Sequence, residues 1–135
     1  MSDAEVFHLP DVPVHLGLGA RAVPQERFDG SLAWYDRYVE RTGDDGNEGR
    51  LVSMATFDAP WVVWEVHPNG DELVVCLTGH ITLHQEHPDG TRTTAGLHPG
   101  DAVVNAPGVW HTADVDERAI ALFVTAGVGT EHKPR

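Results

Sequence analysis

The stretch Trp61 to Gly79, WVVWEVHPNGDELVVCLTG, constrains this chain more than any other. It opens as an alternating run. Trp61, Val63, Glu65 and His67 share one parity, and Val62, Trp64 and Val66 share the other. Successive side chains of a strand point to opposite faces, so a strand here projects Glu65 and His67 the same way, two residues apart. The turn signal Pro68-Asn69-Gly70-Asp71 follows at once. A second apolar run, Leu73 to Leu77, begins right after Glu72. A hairpin brings Glu72 back toward Glu65 and His67. Two carboxylates and an imidazole then share one wall of an otherwise apolar structure, and that combination demands a chemical reason.

Short apolar runs recur through the rest of the chain: Leu51 to Phe57, Trp61 to His67, Leu73 to Leu77, Ile81 to Gln85, Thr91 to Leu97, Ala102 to Ala106, Val109 to Val115, and Ala119 to Thr125. Gly, Pro, Asn and Asp turn signals separate most of them. This rhythm predicts an all-β sandwich or barrel over residues 50–127. Residues 1–49 read differently. An irregular arm, with one or two short strands near Val12 to Leu18, leads to a short helix capped by Ser31 and ended by Gly43. Leu32, Tyr35 and Val39 fall on one face of that helix. Residues 128–135 read as a tail. The 135 residues suit one domain with a core of its own.

Composition removes several function classes. The formal net charge is -12, and the nine Lys and Arg residues form no cluster. A nucleic-acid binder needs a basic face to neutralise phosphates, so nucleic acid and anionic membranes are not expected partners. No stretch approaches the ~18 apolar residues of a membrane span. The N-terminus lacks the pattern of a secretory signal, and the lone Cys76 excludes an internal disulfide. The expectation is a soluble cytoplasmic protein. Cys76 reads as a small core residue. His84, His87 and His98 lie in or near turns and read as solvated.

A second histidine block follows the first. In Pro99-Gly100-Asp101-Ala102-Val103-Val104-Asn105-Ala106-Pro107-Gly108-Val109-Trp110-His111, a Pro-Gly turn leads into a strand headed by His111. The two blocks together resemble the cupin family. In that family's first motif, a pair of histidines spaced by one residue precedes a glutamate and then a glycine; His67, Glu72 and Gly79 match. In its second motif Gly100, Gly108 and His111 match, while Pro107 is shifted by one. The resemblance covers Leu51 to Thr125. It implies a double-stranded β-helix, a small jelly-roll barrel, with an N-terminal arm and one short helix.

The same resemblance implies a metal site. Typical members hold a divalent ion with three histidines and one glutamate. Here Glu65 stands where the first histidine is expected, so the implied set is Glu65, His67, Glu72 and His111. Mn, Fe, Ni or Zn suit two imidazoles and two carboxylates. Asp71 is an alternative to Glu72, although the glycine spacing favours Glu72. Trp61 and Val63 share the ligand face and are expected to wall a pocket. Two functions remain open. One is a metal-dependent enzyme of oxygenase, isomerase or decarboxylase type acting on a small organic molecule, with Glu65 as ligand or catalytic base. The other is a non-catalytic cupin that binds or senses a small ligand. A homodimer is expected, because Val62, Trp64 and Val66 add an apolar outer face that the arm and helix or a second subunit must cover. The arm from Val6 to Val23 is placed at its interface.

Overall fold

The computed structural model describes residues 4–135; the first three residues of the 1–49 arm lie outside it. In chain order the strands are β1 (Val14–Gly17) and β2 (Arg21–Pro24), then helix α1 (Leu32–Thr42). Next come β3 (Arg50–Phe57), β4 (Val63–Val66), β5 (Glu72–Thr78), β6 (Ile81–Glu86) and β7 (Arg92–Leu97). The chain ends with β8 (Ala102–Asn105), β9 (Trp110–Asp114), β10 (Ala119–Thr125) and β11 (Glu131–Pro134). They form two antiparallel sheets, in the orders β2-β1-β3-β10-β5-β8 and β11-β4-β9-β6-β7. From β3 to β6 and from β7 to β11 consecutive strands alternate between the sheets, which is the jelly-roll winding expected from the sequence. The inward parity of each strand meets in one core: Val74 and Cys76 of β5, Ile81 and Leu83 of β6, Ala113 of β9, and Ala121 and Phe123 of β10. No helix among the described residues is long and apolar enough to cross a membrane.

Gly79 shows why a motif position is glycine. Its φ is +78°, and an added Cβ would collide with the Arg118 carbonyl. No L side chain is comfortable there.

Four expectations need correction. Helix α1 does not bury Leu32, Tyr35 and Val39, which are 74%, 43% and 39% exposed. It buries Trp34 and Tyr38, whose rings stack at 5.7 Å. Trp34 packs edge-on against Phe28 and Tyr38 against His15, so this i, i+4 aromatic pair wins the contact. Ser31 does cap the helix, its Oγ accepting from the Trp34 N–H at 3.1 Å.

Residues 131–134 are not a tail. They pair with β4, placing His132 opposite Glu65 and Lys133 opposite Trp64. A short strand of alternating charge has no apolar signature, so only its backbone pairing reveals it. The Lys133 ammonium sits 4.6 Å from the Trp110 ring centre and 5.7 Å from that of Trp64, and Arg92 covers Trp64 at 5.3 Å. The outer face of β4 is thus covered by this chain's own cationic side chains, apart from Val62 at 79% exposure. All four tryptophans are buried or half-buried within one chain and give no reason for a second subunit.

Turn histidines are also less free than expected. His84 contacts Asp114 at 2.7 Å and Thr94 at 3.1 Å, and only His98 of the three is exposed.

The arm is built into the larger sheet, since β1 pairs with both β2 and β3. Its buried His15 contacts the Tyr38 hydroxyl through Nδ1 and Asp45 through Nε2, each at 2.6 Å. This triad ties the arm, the helix and the 43–48 turn together.

Candidate metal centre

One end of the barrel gathers the polar residues. Glu65 points inward from β4, and its backbone pairs with that of His111 on β9. His67 follows directly after β4. Glu72 is the first residue of β5 and lies between Asn105 of β8 and Thr125 of β10. Glu65, Glu72 and His111 therefore have their places fixed by sheet register. Asp71, the alternative to Glu72, is exposed on the other parity. Trp61 lines the inner side, its ring 6.3 Å from that of His111.

One ligand atom from each of Glu65, His67, Glu72 and His111 lies within 4.8 Å of all the others. His67 Nε2 is 2.9 Å from Glu65 Oε1 and 3.0 Å from Glu72 Oε2. His111 Nε2 is 3.2 Å from Glu72 Oε1 and 3.9 Å from Glu65 Oε1. These separations suit donors that each sit ~2.0–2.2 Å from a shared ion. His67, Glu72 and His111 are 3% exposed or less, whereas the Glu65 side chain keeps 24% of its surface.

The outer contacts decide which atoms face the centre. Thr130 Oγ1 donates to the Gly127 carbonyl at 2.8 Å and lies 2.7 Å from His67 Nδ1. Its one hydrogen is spent, so His67 Nδ1 must be the donor in that contact. His111 Nδ1 donates to the Val109 carbonyl at 3.2 Å, since a carbonyl only accepts. In both neutral rings the Nε2 lone pair consequently faces the two carboxylates. Although the separations are short, both Nε2 atoms are buried without an aligned hydrogen-bond partner.

Lone pairs facing lone pairs in a buried site repel unless positive charge lies between them. Two carboxylates and two neutral imidazoles balance a divalent ion. The donor set fits such an ion on its own chemistry, and every ligand has an outer partner of the kind metal sites use.

In the metal-free protein, protons serve the same need. Burial alone would lower the pKa of His67, but the Glu65 and Glu72 carboxylates beside it outweigh burial and hold it up at about 9. Burial would raise Glu72, but His111 and His67 outweigh it and hold the carboxyl far below its ordinary range. Glu65 is also lowered: burial opposes, and His67 prevails.

Five residues around the centre have no family motif to reveal them. Asn105 donates to Glu72 Oε1 at 3.2 Å and Thr125 donates to Glu72 Oε2 at 2.7 Å. Gln85 donates to Asn105 Oδ1 at 2.8 Å, which fixes the way the Asn105 amide faces. Thr130 holds His67, and His132 Nε2 lies 2.9 Å from Glu65 Oε2. Parity could have suggested Asn105 and Thr125, which face inward at the same barrel end. Nothing in the sequence flags Thr130 or His132.

The interior beneath the site is closed. The space enclosed by Phe57, Trp61, Val74, Leu83 and Phe123 amounts to about 10 Å³, too little for a small organic molecule.

No family model and no curated protein matches the sequence. Solved structures match the fold. A protein with a double-stranded β-helix domain from Klebsiella pneumoniae is 22% identical, with a TM-score of 0.52, over 64% of this chain and 76% of that one. An oxalate oxidase is 12% identical with a TM-score of 0.53, over 60% of this chain and 44% of that one. A hydroquinone 1,2-dioxygenase solved with Cd²⁺ and 4-hydroxybenzonitrile is 12% identical with a TM-score of 0.51, over 56% of each chain. The chain thus spans about half the length of these two enzymes and has the double-stranded β-helix fold of the cupins.

Proposed function

We propose that the chain is a metal-dependent enzyme acting on a small organic molecule, of oxygenase, isomerase or decarboxylase type. It works in the cytoplasm as a homodimer. The observation that carries this reading is the pair of buried Nε2 atoms facing Glu65 and Glu72 without a hydrogen-bond partner. Glu65, His67, Glu72 and His111 would hold Mn, Fe, Ni or Zn. Such an ion supplies Lewis acidity, or redox chemistry with oxygen where it is redox-active.

The chain's own residues divide the remaining work. His67 and His111 are locked donors, because Thr130 and the Val109 carbonyl fix their tautomers. Glu72 is a fixed charge, held on both oxygens. Glu65 is different: one oxygen faces the centre, and the other faces the solvent rim through His132. That makes Glu65 the group able to take a proton from a bound substrate and hold it at a carboxylate oxygen. Trp61 and the packed core below it keep water out from the inner side.

Oxalate oxidase and hydroquinone 1,2-dioxygenase share the fold, so small carboxylates and dihydroxybenzenes are the first substrates to test. Protein loaded separately with Mn²⁺, Fe²⁺, Ni²⁺ and Zn²⁺ is mixed with such a panel, and oxygen uptake and product formation are followed. Turnover that disappears with Glu65→Gln supports the reading. Saturable binding without turnover by any loaded form would leave the non-catalytic binding or sensing role in its place.

A further inference from the structure

The helix face that periodicity selects, Leu32, Tyr35 and Val39, is left largely to solvent. Folding gives it no use, since Trp34 and Tyr38 make the contact with Leu51. Contiguous exposed apolar surface is a mark of ligand-binding grooves. Sheet register shows what lies beside this one. Leu51 has the parity of Ala55 and Phe57, which pack on the barrel core, so it points inward. It is the register partner of Thr125, and Thr125 is the partner of Glu72. Two strand spacings, ~10 Å, separate the strand under the helix from the strand of Glu72. Helix α1 therefore lies over the barrel end that holds the four ligands.

Tyr35 stands at the opening of that end. Glu65 alone of the four ligands keeps appreciable solvent surface, so the opening is on its side. Burial, and after it the charges of Glu65 and then Glu72, push the Tyr35 phenol above its ordinary pKa, so both carboxylates lie within range of the ring. Phe28 and Trp34 hold that ring edge-on at 5.6 and 5.2 Å. The Tyr38 hydroxyl is tied to His15, but the Tyr35 hydroxyl has no hydrogen-bond partner among the described residues.

We propose that helix α1 is the substrate wall of the centre, and that Tyr35 contacts a neutral phenol there through its ring and hydroxyl, with Leu32 and Val39 extending the apolar surface. The inference rests on the enzyme reading above and narrows its substrate class. The barrel interior has room for about 10 Å³ only, so a molecule whose polar head reaches the ligands leaves its body outside, along the helix. Glu65, as a base, needs a substrate that arrives with a proton. A phenol, with a pKa near ~10, brings one at neutral pH, whereas a carboxylic acid, near ~4, has already lost it. A neutral molecule also escapes the repulsion that a net charge of -12 imposes on anions. The exposed Tyr35 ring favours a flat aromatic body over an aliphatic one.

The test uses zinc-loaded protein, because Zn²⁺ has no redox chemistry and reports binding apart from turnover. Titration calorimetry with 4-methylphenol should show saturable binding, with 4-methylcyclohexanol and oxalate weaker by about tenfold or more. Tyr35→Ala should weaken 4-methylphenol by about tenfold, and Tyr35→Phe, which keeps the ring, by less. Leu32→Ser, at a position too exposed to endanger folding, should also weaken it. Zinc content and far-ultraviolet circular dichroism should match the wild type in all three variants. Wild-type affinity in both Tyr35→Ala and Leu32→Ser overturns the inference. So does tighter binding of oxalate, or no saturable binding of 4-methylphenol by zinc-loaded wild type. Protein that binds the phenol through Tyr35 but turns over no substrate with Mn²⁺, Fe²⁺, Ni²⁺ or Zn²⁺ overturns the enzyme reading and leaves the wall in place.

Discussion

Thr130 Oγ1 lies 2.7 Å from His67 Nδ1 while spending its hydrogen on the Gly127 carbonyl. A residue in the turn before β11 thereby decides which nitrogen of the histidine just after β4 faces the barrel centre. Thr130→Val keeps the shape but removes the acceptor. Outer partners of metal ligands are typically worth 10–100-fold in affinity, so Thr130→Val should weaken metal binding by about that factor. Thr130→Ser should retain it. Competition against a chelating dye measures both.

Glu65 is held between the centre and His132. Glu65→His restores the family's usual donor set and should keep the metal with a changed preference. Glu65→Ala should weaken binding yet leave the barrel folded, because the side chain is partly exposed. His132→Gln still donates toward Glu65 and should stay near wild type, whereas His132→Ala should lose part of the affinity. Titration calorimetry with Mn²⁺ and Zn²⁺ separates these outcomes.

The response to pH has opposite signs with and without metal. Without metal, His67 has a folded pKa of about 9, above its unfolded value of ~6.5. Its stabilising contribution is full below ~6.5 and is lost as pH rises through 9. Glu72, held far below its ordinary range, contributes above ~4.3 and is lost only in strong acid. Metal must displace the His67 proton, so metal-dependent stabilisation should grow from about pH 6 to pH 9. The ordinary histidine range, pH 5 to 7, underestimates that window because it omits the two carboxylates. Melting curves with and without chelator across this range check the sign.

Away from the centre, Asp45→Ala leaves His15 Nε2 buried without its partner. It should cost about 1–3 kcal/mol of stability in urea melts. Metal uptake should not change, since the triad with Tyr38 ties the arm and not the site. Gly49→Ala should act the same way, because its Cβ would lie 2.7 Å from His15 Cε1.

The parts legible in the sequence are those set by alternation. Strand parity put Glu65 and His67 on one wall, and the turn after His67 returned Glu72 to it. The runs and turns from Arg50 onward marked the barrel. Two kinds of feature were illegible. The helix face was decided by aromatic packing onto His15, which periodicity does not weigh. Strand β11 with its His132, and Thr130 just before it, have polar side chains whose only signature is tertiary pairing.

The most direct measurement of the central claim is the metal content of untagged protein after dialysis against Mn²⁺, Ni²⁺ or Zn²⁺ at pH 8, beside His111→Ala treated alike. A site closed by four convergent donors predicts about one ion per chain in the wild type for at least one metal, with a sharp loss in the variant. Wild type without metal in all three dialyses, or equal content in the variant, would contradict it.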